Sequence, residues 1–346
     1  MLTFGMIGYG KMGRLRESCI IEQGHRLKSI HEPNTQIDMP PIKRAANHET
    51  ILADPEIDAV FICTINAFNK PLTIAALQAG KHVFCEKPPA FSAAEMEEVR
   101  RAERISGKVL AYGFNHRHHA SSVTMKDAVD SGEFGNILWM RGRYGKSVDE
   151  SYFDTWRADK DLAGGGILLD QGIHMLDLFL HLADDFDEVH ALVSSLYWNL
   201  PEIEDNVFAI MRNTDTGCCA SLHSTMTQWR HLFSFEVFLE RGYMVLNGLK
   251  TSSGTYGTEQ LTIARNRSRA PAATWEDEDI HEYSVDNSWN AEVAQFCNRI
   301  EAGHRARDFG DSASALRVMR LIDRIYQNDR HEVADLHRHL MSGTYG

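Results

Sequence analysis

Phe4-Gly5-Met6-Ile7-Gly8-Tyr9-Gly10-Lys11-Met12-Gly13 reads as a short apolar strand, a tight glycine turn and the start of a helix. Met12, Leu15, Cys19 and Ile20 then recur at helical spacing. The spacing of Gly8, Gly10 and Gly13 is the GxGxxG of a dinucleotide site. Gly8 permits the sharp turn, Gly10 lets backbone approach a pyrophosphate, and Gly13 lets the helix close on the sheet. The helix start, with Tyr9, Lys11 and Met12 around it, would offer amides and a positive field to the diphosphate.

Working outward, Leu27 to Ile30 forms a second strand, and Glu32 follows it about 19 residues beyond Gly13. An acid there accepts hydrogen bonds from the adenosine ribose hydroxyls and repels a 2'-phosphate, so NAD is expected over NADP. Val60 to Cys63, His82 to Cys85 and Val109 to Ala111 are further short apolar runs, separated by the helical segments Leu72 to Ala79 and Ala93 to Arg104. Alternating strands and helices predict a parallel sheet covered on both faces. Cys63-Thr64-Ile65-Asn66 ends one of these strands at the ligand edge. Thr64 and Asn66 are placed to contact ribose or phosphate, while Asn66 reads equally well as a turn residue.

The rhythm changes after about residue 120. Ser121 to Ser131 reads as helical and Ile137 to Arg143 as extended. A loop with Tyr152, Trp156 and Arg157 then leads into Gly164-Gly165-Gly166 and an apolar helix. From Val189 the pattern is a series of strands: Val189 to Trp198, Asn206 to Met211, Cys218 to Ser224, Phe233 to Leu239 and Tyr243 to Gly248. Short turn-rich breaks between them predict an antiparallel meander, one face of which would serve as a dimer surface. Residues 250 to 285 have no clear pattern. Helical segments recur at Trp289 to Ile300 and Ser312 to Tyr326, with a polar tail beyond. The expected fold is α/β, with a Rossmann domain over residues 1–118 and a second domain over 119–346 carrying an open, mostly antiparallel sheet. The helix near 312–326 is expected to pack back on the first domain, and the two domains to share a cleft.

Composition narrows the function. Asp and Glu outnumber Lys and Arg, 48 against 36, for a net charge of -12, which disfavours a nucleic-acid partner. The local basic groups Arg100, Arg101, Arg104, Arg305 and Arg307 read as solvated helix faces. Six cysteines show no two-residue pairing of a zinc or redox motif. No stretch reaches the ~18 apolar residues of a membrane span, and no leader pattern precedes the first strand, so a cytoplasmic setting is expected.

Two segments offer reaction chemistry. Glu86-Lys87-Pro88-Pro89 follows a strand ending on the cofactor edge, where a lysine of lowered pKa can exchange a hydroxyl proton during hydride transfer. Asp170 and His174 lie four residues apart, on one face of a helix. They fit a proton-handling pair better than a metal half-site, since His116, His118 and His119 supply no matching second half, and no metal is expected. Tyr144, Tyr152, Trp156, Trp198 and His223 are available to line a cleft for a polyhydroxylated ring. The run Arg141-Gly142-Arg143-Tyr144-Gly145-Lys146 reads either as a cationic mouth suited to a phosphate or carboxylate, or as a solvated strand end.

The glycine motif, Glu86-Lys87-Pro88 and the Gly164-Gly165-Gly166...Asp170-Gln171-Gly172-Ile173-His174...Asp177 segment together resemble the family of glucose-fructose oxidoreductase, inositol dehydrogenase and the rhizopine catabolism oxidoreductases. The resemblance implies a homo-oligomer, dimer or tetramer, built through the C-terminal sheet. It implies that Lys87 is the catalytic lysine, Asp170 the acid that orients substrate hydroxyls, and His174 the general acid/base. Glu86 and Lys87 would also face the cofactor. Trp156 and Arg157 resemble a pair near the nicotinamide, and Asn115 and Arg117 residues that help form the pocket at the domain junction. Two departures stand out: Ile65 and Asn69 replace a proline and a histidine common in the family, and Glu32 replaces a common aspartate. The expected activity is NAD-dependent hydride exchange at a secondary alcohol or ketone of a sugar, cyclitol or nucleotide-linked sugar. Two rival readings stand beside it: reduction of an imine or conjugated double bond, and a non-catalytic nicotinamide sensor or scaffold.

Overall fold

In chain order, a computed structural model of the protein shows β1 (Thr3–Ile7), α1 (Lys11–Glu22), β2 (Arg26–His31), β3 (Lys43–Arg44), α2 (His48–Leu52), β4 (Ala59–Ile62), α3 (Asn69–Gln78), β5 (His82–Cys85), α4 (Ala93–Ser106) and β6 (Leu110–Tyr112). Then come α5 (Ala120–Asp130), β7 (Ile137–Ser147), α6 (Lys160–Ala163), α7 (Ile173–Leu182), β8 (Glu188–Ser194), β9 (Asn206–Arg212), β10 (Cys219–Thr225), β11 (Thr227–Leu239), β12 (Gly242–Asn247), β13 (Glu259–Arg265), β14 (Glu278–Tyr283), α8 (Ser288–Ala302) and α9 (Ser312–Asn328). The structure describes residues 1–34, 36–37, 43–266, 274–303 and 310–329. Arg305, Arg307 and the polar tail lie outside that set.

The chain divides into two units. The first comprises residues 1–119, 161–164 and the stretch from 287 to 319. Its six strands run parallel in the order β3-β2-β1-β4-β5-β6, the doubly wound order of a Rossmann domain. Both faces are covered, which is why its strands are near-continuous apolar runs. On one face Phe4, Met6, Phe61 and Phe84 pack with Cys19 and Ile20 of α1 and with Val293, Phe296 and Cys297 of α8. Phe61 stacks on Phe84 at 4.9 Å and Phe296 meets both edge-on, geometries that ring quadrupoles favour.

The second unit holds an eight-stranded sheet of order β14-β13-β12-β11-β7-β10-β9-β8. Neighbours are antiparallel except β7 and β10, which run parallel. The meander expected from the turn pattern is therefore corrected. Met226 alone separates β10 from β11, too little for a hairpin, so the two strands flank β7 instead. The patternless region contains β13 and β14. β8 ends at Ser194 rather than Trp198, because the fully buried Asp205 carboxylate accepts the backbone N–H groups of Leu196, Tyr197 and Trp198 at 2.8–2.9 Å and pulls them off the strand line.

One face of this sheet is covered by α7, which is buried almost all round. Gly142 in β7 lets the helix approach, since a Cβ there would collide with Met175. The other face carries Trp139, Leu192, Phe208 and Ile210 outward. Before α7 the chain makes one wider, π-type turn over Leu168–Gly172, in which the Ile173 N–H bonds back to the Leu168 carbonyl. Such single wide turns are rare and frequently occur at functional sites.

Candidate active site

The dinucleotide end of the first unit is built by three strand termini. Gly8 follows β1 with φ +90°, a left-handed conformation that glycine adopts without a Cβ clash. An added Cβ would strike the carbonyl oxygen of Cys63, the residue after β4. The turns after β1 and β4 thus touch where strand order reverses, the point at which doubly wound sheets bind ligands. Gly13 packs as closely, for its Cβ would strike the Gly8 carbonyl oxygen. Gly10, by contrast, has no heavy atom within 4 Å of its Cβ position. Directly beyond it α1 begins, with no side-chain cap and no acid in its first turn. An uncapped helix start facing open space is an anion-binding arrangement.

Glu32 stands beside this turn. Its carboxylate accepts the Tyr9 backbone N–H at 2.7 Å and the Asn34 N–H at 2.9 Å. The cradle, the uncapped amides and the placed acid fit an adenine dinucleotide. At the neighbouring terminus the Thr64 hydroxyl donates to Asn69 at 3.3 Å, and Asn66 donates to the Ala163 carbonyl at 2.9 Å. Burial pushes the Cys63 thiol well above its ordinary pKa, so it acts as a neutral wall.

Lys87 follows β5, and the backbone on both sides of it is held. Asn69, fully buried, donates its amide to the Glu86 carbonyl at 3.1 Å and the Pro88 carbonyl at 2.9 Å. The Glu86 carboxylate turns inward to Arg16 at 2.7 Å, and Arg16 also meets Glu292 at 2.7 Å. Burial pulls the Arg16 pKa down, but Glu86 and Glu292 override it and hold the guanidinium charged. Asn115 donates to Ser288 at 3.1 Å and lies 3.1 Å from the His116 ring nitrogen, and Arg117 is buried nearby in sequence. Burial, with Arg117 and Arg16, lowers the His118 pKa to about 4.

In the second unit Asp170 sits on the π-type turn. Lys146 Nζ meets its Oδ2 at 2.9 Å, and Arg157 Nε lies 3.7 Å from its Oδ1. The Arg157 guanidinium stacks over Trp156 at 4.3 Å, and Lys146 lies over the Tyr152 ring at 5.6 Å. His174 is buried, with its ring 6.5 Å from Tyr144. Tyr144 packs edge-on against Tyr256 at 5.4 Å, and Tyr256 against His231 at 4.8 Å. Burial first, and the Asp170 charge after it, raises the pKa of Tyr152 and Tyr256, and also that of Tyr144, to which the Tyr256 neighbour adds. All three are neutral hydroxyls at physiological pH; that of Tyr144 is hydrogen-bonded to Tyr256, whose own O–H and that of Tyr152 can donate to a polyol.

Strand alternation sorts the remaining predicted residues. Tyr144 pairs with Ser224, whose hydroxyl reaches the Tyr144 and Ile167 carbonyls at 3.4 and 3.5 Å. His223, one residue earlier, pairs with Arg143 and stacks on exposed Phe208 at 3.9 Å. It therefore lies on the opposite sheet face and is removed from the candidate cleft. Trp198 donates its indole N–H to the Met226 carbonyl at 2.9 Å and packs against Phe153. Arg141 pairs with Glu236 at 2.6 Å, so in the basic run Arg141 is the solvated strand residue and Lys146 the site residue. The sequence reading missed Asn69 as a brace, Tyr256 as a neighbour of Tyr144 and His231 as a neighbour of Tyr256. Lys146 had a signal, since it lies two residues from Tyr144 on the same strand face. Among the described residues no three His, Cys, Asp or Glu side chains are grouped to hold a metal ion, and no helix is long and apolar enough to cross a membrane.

Comparison with known proteins bears on the whole arrangement. Residues 2–114 match the oxidoreductase family with an NAD-binding Rossmann fold, and residues 122–245 match the GFO/IDH/MocA C-terminal domain. The 1,5-anhydro-D-fructose reductase of Ensifer adhaerens is 31% identical over 66% of this chain and 68% of its own length. The levoglucosan dehydrogenase of Pseudarthrobacter phenanthrenivorans is 30% identical over 56% of this chain and 54% of its own length. A solved levoglucosan dehydrogenase in complex with NADH superposes with a TM-score of 0.82 at 22% identity, covering 95% of this chain and 96% of that one. With a Rossmann unit, a second unit on a largely antiparallel sheet and both halves matched, the chain belongs to the Gfo/Idh/MocA family of oxidoreductases.

Proposed function

We propose that the protein transfers hydride between NAD and a secondary carbinol carbon of a sugar, cyclitol or nucleotide-linked sugar. The observation that carries this reading is the open, uncapped start of α1 at Gly10 with the Glu32 carboxylate fixed beside it. Glu32 favours NAD over NADP, because a 2'-phosphate would bring two like charges together. Bound NAD supplies the hydride acceptor, or NADH the donor, at its nicotinamide ring. The remaining chemistry belongs to the chain. Lys87, its backbone braced by Asn69, presents an amine to the substrate oxygen and exchanges the hydroxyl proton. His174 shares that proton as general acid/base, and Asp170 orients the neighbouring hydroxyls. Tyr144 and Tyr152 contribute hydroxyls to the polyol, while Trp156 and Arg157 close the side of the site. Residues 1–118 serve the cofactor, with the stretch from 287 to 319 packed in the same unit, and the second unit serves the substrate. The relatives named above, a reductase and a dehydrogenase of anhydrosugars, support a carbohydrate substrate.

The outward face of the second sheet supports a homo-oligomer. Trp139, Phe208 and Ile210 lie there exposed, and Trp139 stacks on Phe238 at 4.0 Å, a flat apolar surface of the sort a second copy covers.

The activity is tested by following NADH absorbance with a panel of sugars, inositols and nucleotide-linked sugars, and with unsaturated and imine substrates in parallel. Turnover of a polyol, reduced at least ~10²-fold in kcat/KM by Lys87→Ala and by His174→Ala, is the expected result. Turnover confined to the unsaturated or imine substrates would overturn it.

A further inference from the structure

Gly165 and Gly166, just before the π-type turn, have neighbours that leave no room for a side chain. A Cβ on Gly165 would meet the Tyr326 hydroxyl at 2.6 Å, and one on Gly166 would strike the Glu204 carbonyl oxygen. Those two neighbours are joined, since the Tyr326 hydroxyl donates to Glu204 Oε1 at 2.9 Å. All four residues belong to the second unit.

Glu204 is buried and accepts three successive backbone N–H groups. Gly166 donates to Oε2 at 2.7 Å, Ile167 to the Glu204 carbonyl at 3.1 Å and Leu168 to Oε1 at 2.9 Å. These are the opening amides of a helix, which have no acceptor within it, and Ile167 at the cap position makes no side-chain bond to them. Glu204 does from a distant part of the chain what an N-cap side chain does locally. Its carboxylate meets two amides and a phenol with both oxygens; an amide group in its place would bring one acceptor oxygen. Burial raises the Glu204 pKa, and the bonds from Leu168, Gly166 and Tyr326 oppose that rise.

The two residues held by the carboxylate lead directly to Asp170 and His174. The Gly166 carbonyl accepts the Asp170 N–H at 3.0 Å. The Leu168 carbonyl accepts the N–H of Ile173, the residue before His174. The charge of Glu204 is felt in the same place: burial, then Asp170, raises the Tyr152 pKa, and Glu204 adds to that against the pull of Arg157.

We infer that Glu204, steadied by Tyr326, is a positioning residue for the reaction: its carboxylate fixes the opening of the turn, and through Gly166 and Leu168 the placement of Asp170 and His174. The inference rests on the hydride-transfer reading above and gives the second and third glycines of Gly164-Gly165-Gly166 their task, which is to let the backbone reach Glu204 and Tyr326.

The test combines steady-state kinetics on a polyol, at a temperature well below each variant's melting transition, with proton–nitrogen NMR spectra of the imidazole rings in the NADH-loaded protein. His174→Gln assigns the His174 signals. Glu204→Gln is expected to lower kcat about tenfold or more, the scale on which a small misplacement acts, while NADH affinity stays within about twofold. The His174 ring signals should move and those of His223, on the opposite sheet face, should not. Tyr326→Phe leaves both amide bonds in place and should cost about threefold in kcat, and the double variant should lose less than the product of the single losses, because both act on one network. A purely structural role would lower the melting temperature of Glu204→Gln and leave kcat and the His174 signals unchanged, which would overturn the inference. If Glu204→Gln does not fold, Tyr326→Phe decides by the same two readouts. A parent protein that binds NADH but turns over no polyol would sink the hydride reading, and the hold of Glu204 on His174 then stands or falls by the ring signals alone.

Discussion

The guanidinium of Arg16 meets the carboxylate of Glu86 at 2.7 Å with no part of the arginine side chain exposed. Arg16 belongs to the helix that opens at the dinucleotide turn, and Glu86 directly precedes Lys87. One buried contact therefore ties the helix that opens at the glycine turn to the loop bearing Lys87, and Glu292 joins it from α8. Phe84 and Trp289 cover the guanidinium at 4.4 and 4.8 Å, keeping water out.

Removing Arg16 should consequently cost far more than a surface charge. Arg16→Met leaves two buried acids without their cation, and a loss of about 3–5 kcal/mol in unfolding free energy is expected. Urea unfolding checks this. Adding Glu86→Gln and Glu292→Gln to the same variant should recover a substantial part of the loss, since no uncompensated charge then remains.

The glycines of the turn separate folding from binding. Gly10→Ala adds a methyl into open space at a φ of -72°, so thermal stability should stay within about 0.5 kcal/mol, the usual range for unobstructed sites. The same methyl stands where backbone must approach the diphosphate, and NADH affinity should fall at least tenfold. Gly13→Ala collides with the Gly8 carbonyl oxygen and should lower the melting temperature as well. Paired thermal-shift and NADH titrations of the two variants distinguish these outcomes.

His118 gives stability an acid limb. Its folded pKa is lowered to about 4 by burial and by Arg117 and Arg16, against roughly 6.5 in an unfolded chain. Between those values the unfolded state binds the extra proton, so stability rises with pH there. The contribution is fully present above about pH 6.5 and is lost as pH falls towards 4. Urea unfolding across that window should show His118→Phe with a shallower decline than the parent. An identical slope in both would remove His118 as the cause.

The outward sheet face should govern assembly. Ile210 is 64% exposed and Phe208 48%, on the same strand face, and Ile210→Asp would place a charge in an apolar contact. Light scattering should report a dimer or tetramer for the parent and a smaller species for the variant, with secondary structure unchanged by circular dichroism. A parent protein that runs as a monomer at micromolar concentration contradicts the assembly.

Local patterns revealed the first unit well, because a Rossmann sheet is built from neighbouring βαβ steps whose signals sit in sequence: an apolar run, Gly8 to Gly13, then helical spacing. The second sheet was less legible. β7 was recognisable as extended, yet its position between β10 and β11 depends on partners about 80 residues away, and such pairings leave no local mark. β13 and β14 escaped because β14, Glu278–Tyr283, is largely exposed and polar at the sheet edge, so it has little apolar alternation. Among the proposed functional residues, Lys87, Asp170 and His174 stood out by motif. Asn69 did not, since its work is to bond backbone, and Tyr256 lies in a loop whose approach to Tyr144 is purely tertiary. Lys146 was readable in principle: counting by two from Tyr144 separates it from Arg141 and Arg143.

The most direct measurement is equilibrium titration of the purified protein with NADH and NADPH, followed by nicotinamide fluorescence. One NADH per chain, held more tightly than NADPH and released at least tenfold more readily by Gly10→Ala, is the predicted result. Absence of binding for both dinucleotides would contradict the account.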